Sequence, residues 1–509
     1  MLFNSIEFAI FFPIVALLYF LNTSLLRKNF VSQALLLSAS LYFYACWNVS
    51  YLALILFSVF VTFASGLLME KFPSHKKTVL FLSLAVNLLI LVFFKYFNFL
   101  AGIADQVAAL FHSNFSVPKV NVLLPVGISF YTFQALGYSI DVYRGNLKAE
   151  RNLLTYTLFV TFFPQLVAGP IERSGNLLPQ FKSDNTFDYD RVTDGIRLAV
   201  WGFFKKIVIS DYLAVYVNGI YGNIAGATGL SLALATVYFS IQIFCDFSGY
   251  SDIAIGVSRI LGFTLMKNFS KPYFSPSIVD FWRNWHISLS GWFRDYLYIP
   301  LGGNRKGTFR RYVNLFVTFL VSGIWHGANY TFILWGATHG FYQVVGLSTK
   351  KFRNRLMDKI GLIKEDGTPK TPLLLFRILL TYLLVCFAWM FFRADSISDI
   401  GRILAKFAGM GTEVTNLLTN AQSCGLKESL RDTLLLKHSL SGHAFRQMFI
   451  SFLYMGTLFS VGLITRKESG ISIIKRQHPV IRWICYYAVV AVIMYSSPEE
   501  ESQFIYFQF

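Results

Sequence analysis

FWRNWHISLSGWFRDYLYIPLGGNRKGTFRRYVNLFVTFLVSGIWHGANYTFILWGATHG, residues 281–340, settles most of what this chain can be. Its second half is largely apolar, and its first half interleaves Trp, Arg, Asp, Gly and Pro. His286, His326 and His339 stand among them. Inside a membrane protein an ionisable side chain is expensive unless it has a partner or a task. Histidine is also the side chain suited to moving protons near neutral pH. Two histidines separated by a polar, Gly-rich interruption therefore point to a reaction centre at membrane depth.

The rest of the chain supplies the membrane. Of 509 residues, 55% are hydrophobic and 14% charged. A water-soluble chain of this length divides into several cores under a larger charged surface. Here apolar segments recur near 8–26, 30–46, 49–70, 78–100, 121–142, 152–170, 194–220, 229–262, 311–325, 330–347, 373–393, 447–465 and 480–496. They predict an all-α, polytopic integral membrane protein of about 11–13 helices, some of them re-entrant. The runs are continuous rather than alternating, which excludes a transmembrane β-barrel. There is no internal repeat, and residues 1–509 read as one membrane domain with a long connection at 394–446.

The net charge of +18 does not indicate nucleic acid. The basic residues cluster in short loops, at Arg27-Lys28, Lys76-Lys77, 350–355, Arg466-Lys467 and Lys475-Arg476. That is the positive-inside pattern of a multi-pass protein of the cytoplasmic (inner) membrane, and no nucleic-acid-binding motif accompanies it. Starting outside, the first spans put Arg27-Lys28, Lys76-Lys77 and 144–151 in the cytoplasm. The N-terminus carries Glu7 and no basic residue before its apolar run, so it reads as a retained first helix. The 5 cysteines are scattered without a C-x-x-C pair and read as unpaired thiols.

The region 275–310 is not a simple crossing. Pro272, Pro276, Pro300, Gly291, Gly302 and Gly303 interrupt it. Irregular backbone at this depth survives when buried in protein or lining a cavity, so a re-entrant, funnel-lining element is expected. His326, in SGIWHGANY, is flanked by Ser322, Gly323, Gly327 and Ala328, small enough for a helix or a substrate to come close. A structural histidine bonded to a neighbouring helix is the competing reading; Trp325, Asn329 and the second histidine favour a functional one. His286 has Arg283, Asn284, Arg294 and Asp295 nearby. An interfacial amphipathic helix would explain its tryptophans, and an inward-facing His286 is compatible with that. His339 reads as a satisfied core histidine. Gln134, Asp141, Asp246 and Asp252 read as helix-to-helix hydrogen bonds or arginine partners. Walker A, G-x-S-x-G and H-E-x-x-H motifs are absent from the sequence, which removes their ATPase, hydrolase and zinc-enzyme readings.

Six ordered blocks carry a family resemblance: LPVGISFYTFQALGYSIDVYRG (124–145), FFPQLVAGPIERSGNLLPQF (162–181), CDFSGYSDIAIGVSRILGF (245–263), DFWRNWHISLSGWFRDYLYIPLGGNR (280–305), SGIWHGANYTFILWGATHG (322–340) and FIYFQF (504–509). The chain resembles the membrane-bound O-acyltransferases (MBOAT), in the branch that O-acetylates alginate and peptidoglycan, with teichoic acid D-alanyltransferases as relatives. The resemblance implies a helical ring around a funnelled centre, with core motifs between 121 and 345. It places the family's invariant histidine at His326 and its second polar active-site position at His286. It further implies acyl transfer from a cytoplasmic thioester, acetyl-CoA, without a bound cofactor or metal. The acyl group would pass outward to a cell-surface polysaccharide or to an extracytoplasmic partner of SGNH type.

On that implication His326 is the general base and His286 orients the acceptor or polarises the thioester. Arg283, Trp285, Trp325 and Asn329 are candidate helpers. Arg305 and Lys306, with Arg310 and Arg311, are candidates to line the coenzyme A mouth, ordinary positive-inside anchoring being the alternative. D-alanyl transfer to teichoic acid, a glycan-lipid flippase and an inactive scaffold are the competing functions. The missing repeat symmetry disfavours a flippase, and the presence of both histidines disfavours a scaffold.

Overall fold

The computed structural model describes residues 1–509 except 114, 122, 168, 184, 436–443, 466, 467, 469, 497–503 and 506–509, and of 444–448 the backbone alone. The pair Arg466-Lys467, Ala168 of the AGPIERSG block, the last four residues of FIYFQF and part of the 394–446 connection thus lie outside the described residues. Among those described, the chain is helical throughout, with one isolated β-bridge between Ile363 and Pro369.

Among the described residues, six helical stretches are long and apolar enough to cross a bilayer by themselves: Ile6–Leu26, Ser50–Lys71, Pro73–Leu110, Gly229–Leu261, Thr371–Arg393 and Pro479–Ser496. Several other apolar segments are broken. The 152–170 segment divides into Leu153–Thr161 and Phe163–Leu166, where Pro164 enters. The 194–220 segment divides into Tyr189–Phe203, a π-helical turn Phe204–Ser210 and Asp211–Tyr221. Apart from Tyr189–Phe203, most of which is exposed or half-buried, these short pieces are heavily buried, as irregular backbone at membrane depth requires.

Small residues bring the helices together. Gly195 and Gly202 on Tyr189–Phe203 face Gly256 and Gly249 on Gly229–Leu261. A Cβ on Gly195 would stand 2.7 Å from the Gly256 carbonyl oxygen, and one on Gly202 2.6 Å from that of Gly249. The same device closes the hairpin of Gly307–His326 and Tyr330–Ser348, where a Cβ on Gly323 would stand 2.4 Å from the Phe332 carbonyl oxygen. In lipid, such close approach is what drives helices together.

The expected re-entrant element is two seven-residue helices, Ile278–Asn284 and Ile287–Phe293, bent at His286. Ser277 caps the first through the Asp280 amide, and neither is long enough to span. A π-helical turn Arg294–Tyr298 follows. Its Asp295 pairs with Arg173 at 3.0 Å, and its Tyr296 hydroxyl donates to Asp141 at 2.8 Å. Asp141 therefore makes the cross-element hydrogen bond read from sequence, and so does Gln134, whose Nε2 donates to the Phe159 carbonyl.

Asp246 and Asp252 also pair across elements, with lysines and not arginines. Lys206 lies 2.6 Å from Asp246 and 2.9 Å from Asp211, and Lys205 2.7 Å from Asp252. The Phe204–Ser210 π turn supplies both cations, and partners 40 and 47 positions apart in sequence, Lys206–Asp246 and Lys205–Asp252, do not advertise the pairing. Asp246 also accepts from the Ile505 amide at 2.8 Å, anchoring the buried Phe504-Ile505 against Tyr250 and Phe247.

Most of the basic loops share one end of the bundle. Asn29 donates to the Phe181 carbonyl. Lys182 pairs with Glu150, Arg151 with Glu70, and Lys475 with Asp190 and Asp194.

Candidate active site

His286 occupies the bend between the two short helices with φ 43°, the left-handed region a non-glycine residue rarely adopts. That backbone turns its imidazole fully inward, at 0% exposure. Its ring lies 4.6 Å from Phe247, 6.2 Å from Phe130 and 6.3 Å from Trp325. His326, the last residue of Gly307–His326, is 4% exposed. Its ring lies 4.9 Å from Trp325, 4.8 Å from Trp335 and 5.5 Å from Phe392. One indole, Trp325, thus stands against both histidines.

Around them is an aromatic wall. Trp285 stacks on Phe281 and meets Trp389 at 5.0 Å; Trp389 in turn stacks on Trp335 at 5.8 Å. His339 lies behind it, with Nδ1 accepting from Trp282 Nε1 at 3.2 Å. This agrees with its reading as a core histidine.

The helix that carries His326 ends inside the protein, where its last carbonyls have no intrahelical donor. Two side chains from Pro73–Leu110 supply donors. Lys95 Nζ donates to the carbonyls of Trp325 and His326, each at 2.9 Å, and the Tyr96 hydroxyl donates to that of Ile324 at 2.7 Å. Lys95 also lies 5.8 Å from the Trp325 ring centroid. A cation at a helix C-terminus complements the helix dipole. Lys95 itself sits on a π-helical turn, Val92–Tyr96, a distortion common at functional sites. In the sequence its one signal is isolation: Lys95 is the only charged residue between Thr78 and Ala104.

The structure brings together His286, His326, Trp285 and Trp325 among the residues singled out from sequence, and leaves the others apart. Arg283 points away, paired with Asp280 at 3.1 Å, its side chain 73% exposed. Asn329 is the cap of Tyr330–Ser348: its Oδ1 accepts from the Thr331 amide, and its Nδ2 donates to the Asp395 carbonyl. Arg305 and Lys306 are exposed in the turn before Gly307. They lie at the far end of the His326 helix, about 30 Å away at 1.5 Å per residue. Among the described residues, no group of three or more His, Cys, Asp or Glu is placed to hold a metal ion.

The sequence profile of the membrane-bound O-acyltransferase family matches residues 146–360. A "probable alginate O-acetylase" of Pseudomonas putida is 40% identical over 435 residues, 84% of each chain. The peptidoglycan O-acetyltransferase of Helicobacter pylori is 33% identical over 443 residues, 81% of this chain and 80% of that one. The teichoic acid D-alanyltransferase of Bacillus subtilis is 30% identical over 295 residues, 54% of this chain and 70% of that one. The chain belongs to the membrane-bound O-acyltransferase family and is a multi-pass membrane O-acyltransferase.

Proposed function

We propose that the chain moves an acetyl group from cytoplasmic acetyl-CoA across the inner membrane for O-acetylation of a cell-surface polysaccharide, directly or through an extracytoplasmic partner of SGNH type. The observation that carries this reading is the pair of buried histidines against one indole, with the His326 helix end held by Lys95. In this chemistry His326 removes the acceptor's hydroxyl proton as its oxygen attacks the thioester carbonyl. The C–S bond then breaks, the thiolate takes up a proton, and ester and thiol leave. His286 hydrogen-bonds the reacting carbonyl or the acceptor. A transient imidazolium at His326 would lie within cation–π range of Trp335 and Trp325. Lys95 fixes the backbone that aims the base, so it is a positioning residue.

A polyphosphorylated donor needs a cationic mouth. Besides Arg305 and Lys306, the end of the bundle that gathers the basic loops holds an open groove of about 970 Å³. Lys71, Lys76, Arg144 and Arg151 line it, with Glu70 their one lining carboxylate. The match to the alginate and peptidoglycan O-acetylating relatives runs over most of the chain, and that to the D-alanyl relative over about half. This favours acetyl over D-alanyl.

The test supplies radiolabelled acetyl-CoA to inside-out and right-side-out membrane vesicles with their envelope polysaccharide. Alkali-labile label in the polysaccharide from inside-out vesicles alone is expected. Label from right-side-out vesicles would reverse the sidedness. Transfer only from a carrier-protein alanyl thioester would replace acetyl with D-alanyl.

A further inference from the structure

A second cavity, of about 500 Å³, lies away from the histidines. Phe244, Phe269 and Tyr273 form its inner wall and meet Trp285 on their other side, at 6.1, 5.1 and 5.9 Å, so one aromatic layer separates it from the active chamber. Its outer wall is Leu375 and Leu379 of the spanning helix Thr371–Arg393, with Phe459 of Ala444–Ile464. All three are largely exposed, so the opening faces lipid chains and not water.

Charged groups line this apolar slot. Lys205, almost wholly buried, donates to Ser248 Oγ at 2.8 Å and pairs with Asp252 at 2.7 Å. Lys271, with φ 54°, donates to the carbonyl of Thr465 just past the end of Ala444–Ile464. Its left-handed backbone holds the side chain at the cavity's polar end. Two ammonium groups, Lys205 and Lys271, thus line a slot that is otherwise mostly apolar, the donor set a phosphodiester takes.

We propose that this cavity is a binding site for an anionic glycerophospholipid. The phosphate sits against Lys271 beside the Lys205–Asp252 pair, and an acyl chain lies along Leu375, Leu379 and Phe459. Basic pockets between membrane helices suit such headgroups, and a mostly apolar cleft with a few convergent polar groups is the usual form of a ligand site. A soluble phosphate would contact the lysines and leave the apolar slot unfilled, so the lipid is the better complement. The site is independent of the acyl-transfer assignment.

The test is native mass spectrometry on the full chain in detergent, titrated with dioctanoyl phosphatidylglycerol. Lys271→Gln removes the phosphate contact, and Leu379→Trp fills the slot without touching a charge. Lys350→Gln, an exposed basic residue elsewhere, is the control, and circular dichroism confirms that each variant is folded. Binding at least ten-fold weaker in both cavity variants, with the control unchanged, is expected. Equal binding in wild type and both variants would overturn the site. Displacement of the lipid by inorganic phosphate or glycerol phosphate at matching concentration would overturn its lipid identity.

Discussion

Lys95 and Lys206 are the same residue type, each on a π-helical turn and each pointed into the protein, yet they are satisfied in opposite ways. Lys206 lies between two carboxylates, Asp211 and Asp246, in a closed ion network that also holds Ile505. Lys95 has no carboxylate partner among the described residues and is spent on backbone carbonyls at the end of the His326 helix. The first arrangement neutralises charge and ties elements together. The second holds the helix end that carries His326, one of the two histidines proposed for the chemistry. A buried charge therefore marks a function less by its presence than by what satisfies it.

That contrast breaks if the two lysines behave alike. Lys206→Met leaves two carboxylates facing each other without a cation, and removing one partner of a buried ion network costs about 3–5 kcal/mol. The variant should be largely lost from membranes, measured as folded protein by size-exclusion profile after detergent extraction. Normal accumulation would show that the network is not structural. Lys95→Met should accumulate to a greater extent and lower acetyl transfer per folded molecule by about 10–100-fold, as expected when a catalytic group is misplaced by about 1 Å. Lys95→Arg, which keeps the donors, should recover part of that loss, whereas a purely structural lysine would show its whole effect in protein amount.

Smaller effects sharpen the assignment of the chamber. His286→Gln should retain partial activity and His286→Leu almost none, since leaving a buried polar partner unmatched costs about 1–3 kcal/mol. Equal activities would remove the polar role of His286. Asn329→Ala should lower stability by about 1 kcal/mol through loss of the helix cap and leave transfer per molecule nearly unchanged. A ten-fold loss of transfer at normal stability would return Asn329 to the chemistry.

The membrane class, the hairpin carrying His326 and the broken 275–310 element were legible because apolar length and Gly/Pro interruption are local signals. The bend at His286 and the π turns were not, since backbone distortion leaves little trace in composition. Lys95 was hidden by averaging: one charge in a long apolar run barely lowers its hydropathy. Arg283 looked near because it is three residues from His286 in sequence, but it lies on the preceding short helix and faces outward. The capping role of Asn329 was legible as well, since an Asn two residues before Thr331, at the start of an apolar run, is a helix-start signal. The pairing of Lys205 and Lys206 with Asp252 and Asp246 depends on how the chain folds back, which single-chain spacing does not record.

The central claim, that His326 takes the proton, is tested most directly by His326→Gln. Glutamine keeps polarity and hydrogen bonding but is not a base at neutral pH. The measurement is ester-linked acetyl on envelope polysaccharide per folded molecule, in cells lacking their own copy of the gene. At least a 100-fold loss, about 2.7 kcal/mol in barrier, is expected at normal protein level. Retention of more than a tenth of wild-type transfer would contradict it.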